Sequence, residues 1–285
     1  MNNSILLLTI LLFGYVNAQD NSDKIDSAEY TYKVIDSDSL KAFVFFPVRE
    51  KMNDACPSIV IFHGGGWSIG EPSWAFKHCE KYAKMGMVSI AAQYRLSDQK
   101  SITPIDAMED ARDIIIWMRK NSGELNIKIN KIAAYGWSAG AHLAASSAVF
   151  PTYTSDSSMS SIPNALILHS PALSVTNDGW FKTLLLDKGV PLDFSPAEHI
   201  KGNMPPSIIV VGKDDTVTPV GESKLFHHNM LKNGNLSYLY IFDNAGHLFT
   251  PSDQPDDGWP DPDKEIESKA FHEIDLFLRS LEFIK

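Results

Sequence analysis

Cysteine is nearly absent: Cys56 and Cys79 are the only two in 285 residues. A small disulfide-built scaffold is thereby excluded. The pair is either bridged in an oxidising compartment or buried separately as small apolar side chains. The nine histidines are scattered, with no HExxH and no CxxC, and the adjacent His227-His228 would point apart on a helix. No metal site is expected from such a pattern, and no cofactor. No block of like charge occurs: 25 basic residues stand against 35 acidic ones, a formal net charge of −10. Phosphate binding needs a clustered basic surface, so nucleic acid is excluded as a partner class, as is a basic amphipathic face for an anionic membrane.

Long hydrophobic runs are also missing. Ile5 to Phe13, broken only by Thr9, is about nine residues long and too short to span a bilayer. Gly14 and the small residues Val16-Asn17-Ala18 follow, before the polar Gln19-Asp20. Residues 1–18 therefore read as an export signal, although the segment before the apolar run has no Lys or Arg; the alternative is an uncleaved anchor or a buried helix. No cysteine stands at the cleavage point, so no lipid anchor is expected. The expectation is an exported protein, periplasmic or extracellular, folded over 19–285.

What is present is globular: 44% apolar, 11% aromatic and 21% charged residues, without repeats or low-complexity linkers. Glu29 to Ile35 and Leu40 to Phe46 alternate as a starting hairpin with Asp36-Ser37-Asp38 as its turn. Short β-branched runs then alternate with helical spacing. Strands are expected at Ser58 to His63, Met87 to Gln93, Lys131 to Tyr135, Ala165 to His169, Ser207 to Val211 and Leu236 to Phe242. Helices are expected at Trp74 to Met85, Ile105 to Arg119, Ala141 to Phe150, Pro219 to Lys232 and Lys264 to Leu281. Such alternation implies an α/β fold, a mostly parallel central sheet of about eight strands flanked by helices. Ligands bind such sheets at the carboxyl ends of the strands, so chemistry is sought in the loops that follow them.

Every distinctive motif sits in one of those loops. After Lys131 to Tyr135 comes Gly136-Trp137-Ser138-Ala139-Gly140, a G-x-S-x-G that opens a helix. A nucleophilic serine must stand proud of the sheet on a sharp turn that tolerates only small neighbours. After Ser58 to His63 comes Gly64-Gly65-Gly66-Trp67. Consecutive glycines let backbone N–H groups face a developing oxyanion, so Gly64 or Gly65, with Ala139, would form the oxyanion hole. No Gly-Lys-Ser/Thr follows, which counts against a phosphate cradle, and His63 reads as a structural support for the loop. Two further strand ends supply an acid and a base in chain order: Gly212-Lys213-Asp214-Asp215 and Gly246-His247. His247 is the candidate base; Asp214 and Asp215 compete for the acid, with Asp215 preferred.

These residues resemble the α/β-hydrolase esterases, particularly the bacterial acetyl esterase/lipase group with its feruloyl-esterase-like and acetylxylan-esterase-like relatives. The likeness spans nearly all of the mature chain. It is carried by His63-Gly-Gly-Gly-Trp67, Tyr94-Arg95-Leu96, Gly136-Trp-Ser-Ala-Gly140 with His142-Leu143-Ala144, Asp215-Thr-Val-Thr-Pro219 and Gly246-His247. The family pattern G-x-x-D-x-x-x-P puts the acid on Asp215. The resemblance implies a Ser138-His247-Asp215 triad acting through an acyl-enzyme. No long N-terminal cap precedes the first strand, and the only cap candidate is a small one within 171–200, which suggests an open site and a short acyl group. An acidic insertion from Pro251 to Asp263 either lines the alcohol side of the cleft or is a surface loop. Trp67 and Trp180, nearest the expected mouth, are candidate platforms for a sugar ring, and Trp74 and Trp259 weaker ones. The expectation is a secreted esterase removing acetyl, or feruloyl, from a carbohydrate or small-molecule ester. Its rivals are a general carboxylesterase or lipase and a non-catalytic binding protein on the same scaffold. Nothing in the sequence sets the oligomeric state.

Overall fold

A computed structural model describes residues 25–36, 38–48, 54–152, 154 and 158–285. The expected export signal and Ser37 of the first turn lie outside the described residues. The alternating N-terminal segment forms an antiparallel hairpin, β1 (Ser27–Ile35) with β2 (Asp38–Phe45), paired from Ser27 opposite Phe45 to Ile35 opposite Asp38 with a one-residue register shift between Thr31 and Lys33. Beyond it the strands are β3 (Cys56–Phe62), β4 (Val88–Ala92), β5 (Ile127–Trp137), β6 (Ala165–His169), β7 (Ser207–Gly212) and β8 (Ser237–Phe242). They form one eight-stranded sheet in the order β1-β2-β4-β3-β5-β6-β7-β8. The hairpin joins β4 antiparallel through β2, and every pairing from β4 to β8 is parallel.

The helices are α1 (Phe76–Lys84), α2 (Pro104–Lys120), α3 (Ala139–Val149), α4 (Gly179–Leu184), α5 (Val220–Lys232) and α6 (Lys264–Ser280). Strand side chains alternate between two cores. Val60, Phe62, Ile132, Ala134 and Ile209 pack with α2, α3 and α5, whereas Ile59, Ile61, Tyr135, Ile208 and Val210 pack with α1 and α6. Both faces of the inner parallel strands β4, β3, β6 and β7 are therefore covered, which is why they read as unbroken apolar runs rather than as alternation, whereas the edge strand β8 stays partly exposed. Cys56 belongs to the first core and Cys79 to the second; no disulfide joins them.

Most expected elements shift by a residue or two at their ends, and two differ for identifiable reasons. The helix expected from Trp74 is a 3-10 turn over Pro72–Ala75 followed by α1, with Pro72 opening the turn. The strand expected over Lys131 to Tyr135 is longer at both ends: Ile127 pairs with Cys56 ahead of an irregular stretch before Ile132, and the last residue, Trp137, delivers Ser138. Between β6 and β7, residues 171–200 contain α4 and two 3-10 turns, Pro191–Phe194 and Pro196–His199. Phe181, Leu184 and Leu185 of this segment are buried in the first core. α4 is short, yet it starts cleanly: the Asp178 carboxylate accepts from the Trp180 and Phe181 N–H groups at 2.8 and 2.9 Å.

Candidate active site

Ser138 stands between β5 and α3 at φ 54°, ψ −125°. A side-chain-bearing residue adopts that conformation only where its surroundings enforce it. Here the flanking glycines make the turn sterically feasible. A Cβ on Gly136 would lie 2.2 Å from Gly140 O, and one on Gly140 would lie 2.1 Å from Phe62 O in β3. The motif's spacing is thus a packing requirement: the first glycine admits the helix's opening turn and the second admits strand β3. Ser138 is held from below by its N–H, which donates to His169 O at 3.0 Å.

The triad residues meet above the sheet. Ser138 Oγ lies 3.0 Å from His247 Nε2, and His247 Nδ1 lies 3.0 Å from Asp215 Oδ2 and 3.2 Å from Oδ1. An ionised carboxylate only accepts, so Nδ1 carries the ring proton and Nε2 is left to accept from the serine. The Asp215 carboxylate is fully buried, and Oδ1 accepts from the Val217 and Thr218 N–H groups at 3.0 and 2.7 Å. Asp214, its competitor, faces outward and accepts from Ser252 Oγ at 2.6 Å. The geometry brings Asp215 to the histidine and leaves Asp214 on the surface.

The glycine loop after β3 is braced from behind. Gly64 O can only accept, so His63 Nδ1 donates to it at 2.6 Å, and Tyr94 Oη donates to His63 O at 2.9 Å. Burial lowers the His63 pKa to about 4, so the ring is neutral near pH 7. With Gly64 O drawn inward, the trans peptide turns the Gly65 N–H the opposite way. Gly65 itself requires glycine, at φ 117° with Ile69 O 2.1 Å from where a Cβ would stand. Arg95, next to Tyr94, is fixed by the buried Asp110 of α2: its N–H and Nε donate to Oδ2 at 2.9 and 2.8 Å. The Tyr94-Arg95 pair therefore ties the glycine loop to a helix on the sheet's flank.

Gly64, Gly65, Ser138, His247 and Trp180 line one cleft of about 510 Å³, together with Trp74, Trp137, Ile69, Val217 and the segment 256–260. Ala139 lies at the N-terminus of α3, directly after Ser138. Trp180 is 43% exposed, and its Nε1 donates to Gly66 O at 3.0 Å. Trp67 is a correction to the sequence reading. It is 3% exposed, packed edge-on against His142 and Phe181, with its Nε1 donating to His142 Nδ1 at 3.2 Å. Its positive φ of 60° turns the indole down into the core, so it supports the loop and cannot stack on a substrate. His142 passes that support on, since Nε2 donates to Phe194 O at 2.8 Å and joins α3 to the 171–200 segment.

One contributor had no signal in the motifs. Asp256, in the insertion after the histidine, accepts from the His247 N–H at 2.7 Å, the Thr216 N–H at 3.0 Å and Thr216 Oγ1. It clamps the acid loop to the histidine loop. Burial raises its pKa, but the bonds from Thr216 and His247 outweigh this and hold the carboxyl below its ordinary value. The only hint in the sequence was the acidic insertion itself.

A family model described as BD-FAE matches residues 44–165. Among solved structures, the native esterase Est2 of the planctomycete Thermogutta terrifontis superposes with a TM-score of 0.79 at 32% identity, covering 90% of this chain and 93% of that one. The same esterase has been solved with butyrate and with propionate bound, and phosphorylated by paraoxon, with similar coverage. An arylesterase of Saccharolobus solfataricus is 23% identical over 73% of this chain and 72% of its own. Endo-1,4-beta-xylanase B of Butyrivibrio fibrisolvens is 27% identical over 70% of this chain. The chain spans 34% of that xylanase and 5% of a non-reducing polyketide synthase of Stereocaulon alpinum, to which it is 31% identical over 124 residues. The shared sheet, the identity and the near-complete mutual coverage with Est2 make this chain a member of the α/β-hydrolase-fold esterases, which are carboxylic ester hydrolases.

Proposed function

We propose that this esterase removes short acyl groups, acetyl foremost and feruloyl as the larger alternative, from carbohydrate, and that it does so outside the cytoplasm. The observation that carries the chemistry is the buried relay from Asp215 through His247 to Ser138 Oγ, each step 3.0 Å long. Ser138 Oγ attacks the ester carbonyl as His247 Nε2 takes its proton, and the imidazolium is stabilised by Asp215. The oxyanion of the tetrahedral intermediate is received by the N–H of Ala139 and that of Gly64 or Gly65. Collapse breaks the ester C–O bond, and His247 returns the proton to the departing alkoxide. Water then attacks the acyl-enzyme with His247 as base, freeing the acid and Ser138.

The acyl preference is supported by the small 171–200 segment over the cleft and by the butyrate and propionate found on Est2. The carbohydrate preference is supported by exposed indoles at the cleft and by the match to a xylanase. Export rests on the apolar run and small residues within 1–18. A general carboxylesterase acting on small-molecule esters is the second reading, favoured by exposed Ile69 and Val217 on the cleft wall and by the arylesterase match. Acetate release from acetylated xylan, set against butyrate release from tributyrin, separates the two. The proposal expects a higher kcat/KM per acyl group on the acetylated xylan; a marked preference for tributyrin would favour the second reading.

A further inference from the structure

The alcohol that leaves must take its proton from His247 Nε2, so the alcohol part of the ester lies on the histidine's side of Ser138. That side is bordered by the segment 256–260, whose Asp256 is bonded to the His247 N–H. Trp259 rises from this segment 78% exposed, the most exposed of the large apolar side chains among the described residues. Its ring packs edge-to-face on Trp74, with centroids 5.2 Å apart at 71°, and Trp74 packs in the same manner on His63 at 5.6 Å. An indole left in water at the rim of a catalytic cleft forgoes the burial that usually pays for a tryptophan. The segment that carries it is nevertheless pinned on both sides, by Asp256 to Thr216 and His247, and by the Asp263 N–H donating to Phe249 O at 2.8 Å. The ring is thus presented rather than loose. Charge adds a second selection: Asp256 and Asp257 border the cleft, and among the described residues no Lys or Arg lines it.

We propose that Trp259, braced by Trp74, is the platform on which the alcohol moiety stacks, and that this subsite takes a neutral pyranose and disfavours a uronate. The proposal rests on the carbohydrate reading above and moves the platform from the Trp67 and Trp180 side to the histidine's side. A pyranose presents an apolar C–H face to the indole while its equatorial hydroxyls reach the Asp257 carboxylate. The carboxylate of a uronic acid would instead meet like charge at Asp256 and Asp257. The acyl group, on the other side of the scissile bond, makes no use of Trp259.

The test is steady-state hydrolysis of three acetyl esters: ethyl acetate, an acetylated methyl β-xyloside and an acetylated methyl glucuronoside. Wild type, Trp259→Ala, Trp259→Phe and Asp257→Asn are compared. Trp259→Ala is expected to raise KM for the xyloside about five- to tenfold with kcat little changed, the worth of one aromatic stacking contact. Ethyl acetate kinetics should stay as in wild type, and Trp259→Phe should recover part of the loss. Asp257→Asn is expected to improve the glucuronoside about threefold relative to the xyloside, as for one exposed, partly screened charge. Efficient xyloside cleavage that Trp259→Ala leaves unchanged would overturn the platform while the carbohydrate reading stands. An equal loss on ethyl acetate and xyloside would make Trp259 a support of the fold and also overturn it. A wild-type enzyme that gains nothing from the sugar over ethyl acetate would remove the carbohydrate reading and the platform together. An unchanged glucuronoside preference in Asp257→Asn would overturn the charge selection.

Discussion

At the scale of single residues, Ser138 is defined by what its neighbours lack. Gly140→Ala would place a methyl 2.1 Å from the carbonyl oxygen of Phe62, a backbone atom that cannot move without breaking the β3–β5 pairing. The expected outcome is loss of soluble folded protein, or a melting temperature lowered by many degrees, read by thermal denaturation. The two adjacent aspartates separate as cleanly. Asp215→Asn removes the buried charge behind His247 and is expected to lower kcat on the order of 10³- to 10⁴-fold, whereas Asp214→Asn, on the surface, should retain activity within about twofold. Ser138 and His247 were legible because an elbow and a strand-end histidine follow from the chemistry. The preference for Asp215 over Asp214 is supported by the family pattern, because an Asp-Asp pair in a turn itself carries no sign of which side chain points inward. Trp67 was misread for a related reason: its place in the chain put it at the mouth, and only the positive φ turns it into the core.

At the scale of elements, three loops from distant parts of the chain must be held in register. The Asp256 clamp is the connection that motif reading could not supply, because one aspartate among several in an acidic insertion has no signature. Asp256→Ala leaves the His247 and Thr216 N–H groups without this partner, and kcat is expected to fall about tenfold or more with KM little changed. Steady-state kinetics on a small acetyl ester reads this, and an unchanged kcat would show that the loops hold themselves. The 171–200 segment is tied in by a second chain of contacts, Trp67 to His142 to Phe194 O. Its boundaries were readable from the absence of strand pattern, but α4 was not, since six residues give too short a window for helical periodicity. The long strands and amphipathic helices were legible within a few residues because burial on a sheet or against it imposes the period directly.

Over the whole molecule, the alternation of strands and helices announced a parallel sheet, whereas the strand order did not follow from it. Placing β4 between β2 and β3 depends on which crossover packs where, information held in contacts between residues far apart in the chain. The buried titratable groups set an expected pH profile of stability. Burial lowers the pKa of His63, His78 and His142 to about 4 and of His169 to about 3. The unfolded chain binds protons on these rings below about pH 6.5 while the folded protein does not, so stability falls as pH drops from 6.5 toward 4, each ring costing on the order of 1–3 kcal/mol. Glu222 has the opposite effect: burial pushes its pKa up to about 8, against the Ser174 N–H bond, so stability declines as pH rises from its ordinary range through 8. Four rings outweigh one carboxyl below pH 6.5; above it Glu222 acts in the opposite sense, joined at higher pH by the Cys79 thiol, whose pKa burial raises. A melting temperature highest near pH 6 to 6.5 is the expected result of a thermal scan, and one that rises steadily to pH 9 would contradict it. Hydrolysis of short acyl esters by Ser138 is measured by kcat/KM for p-nitrophenyl esters from acetate to palmitate, in wild type and Ser138→Ala. Fast acetyl cleavage that declines steeply with chain length and is abolished in the variant is the expected result. Activity that survives in Ser138→Ala, or that peaks at the long chains, would contradict it.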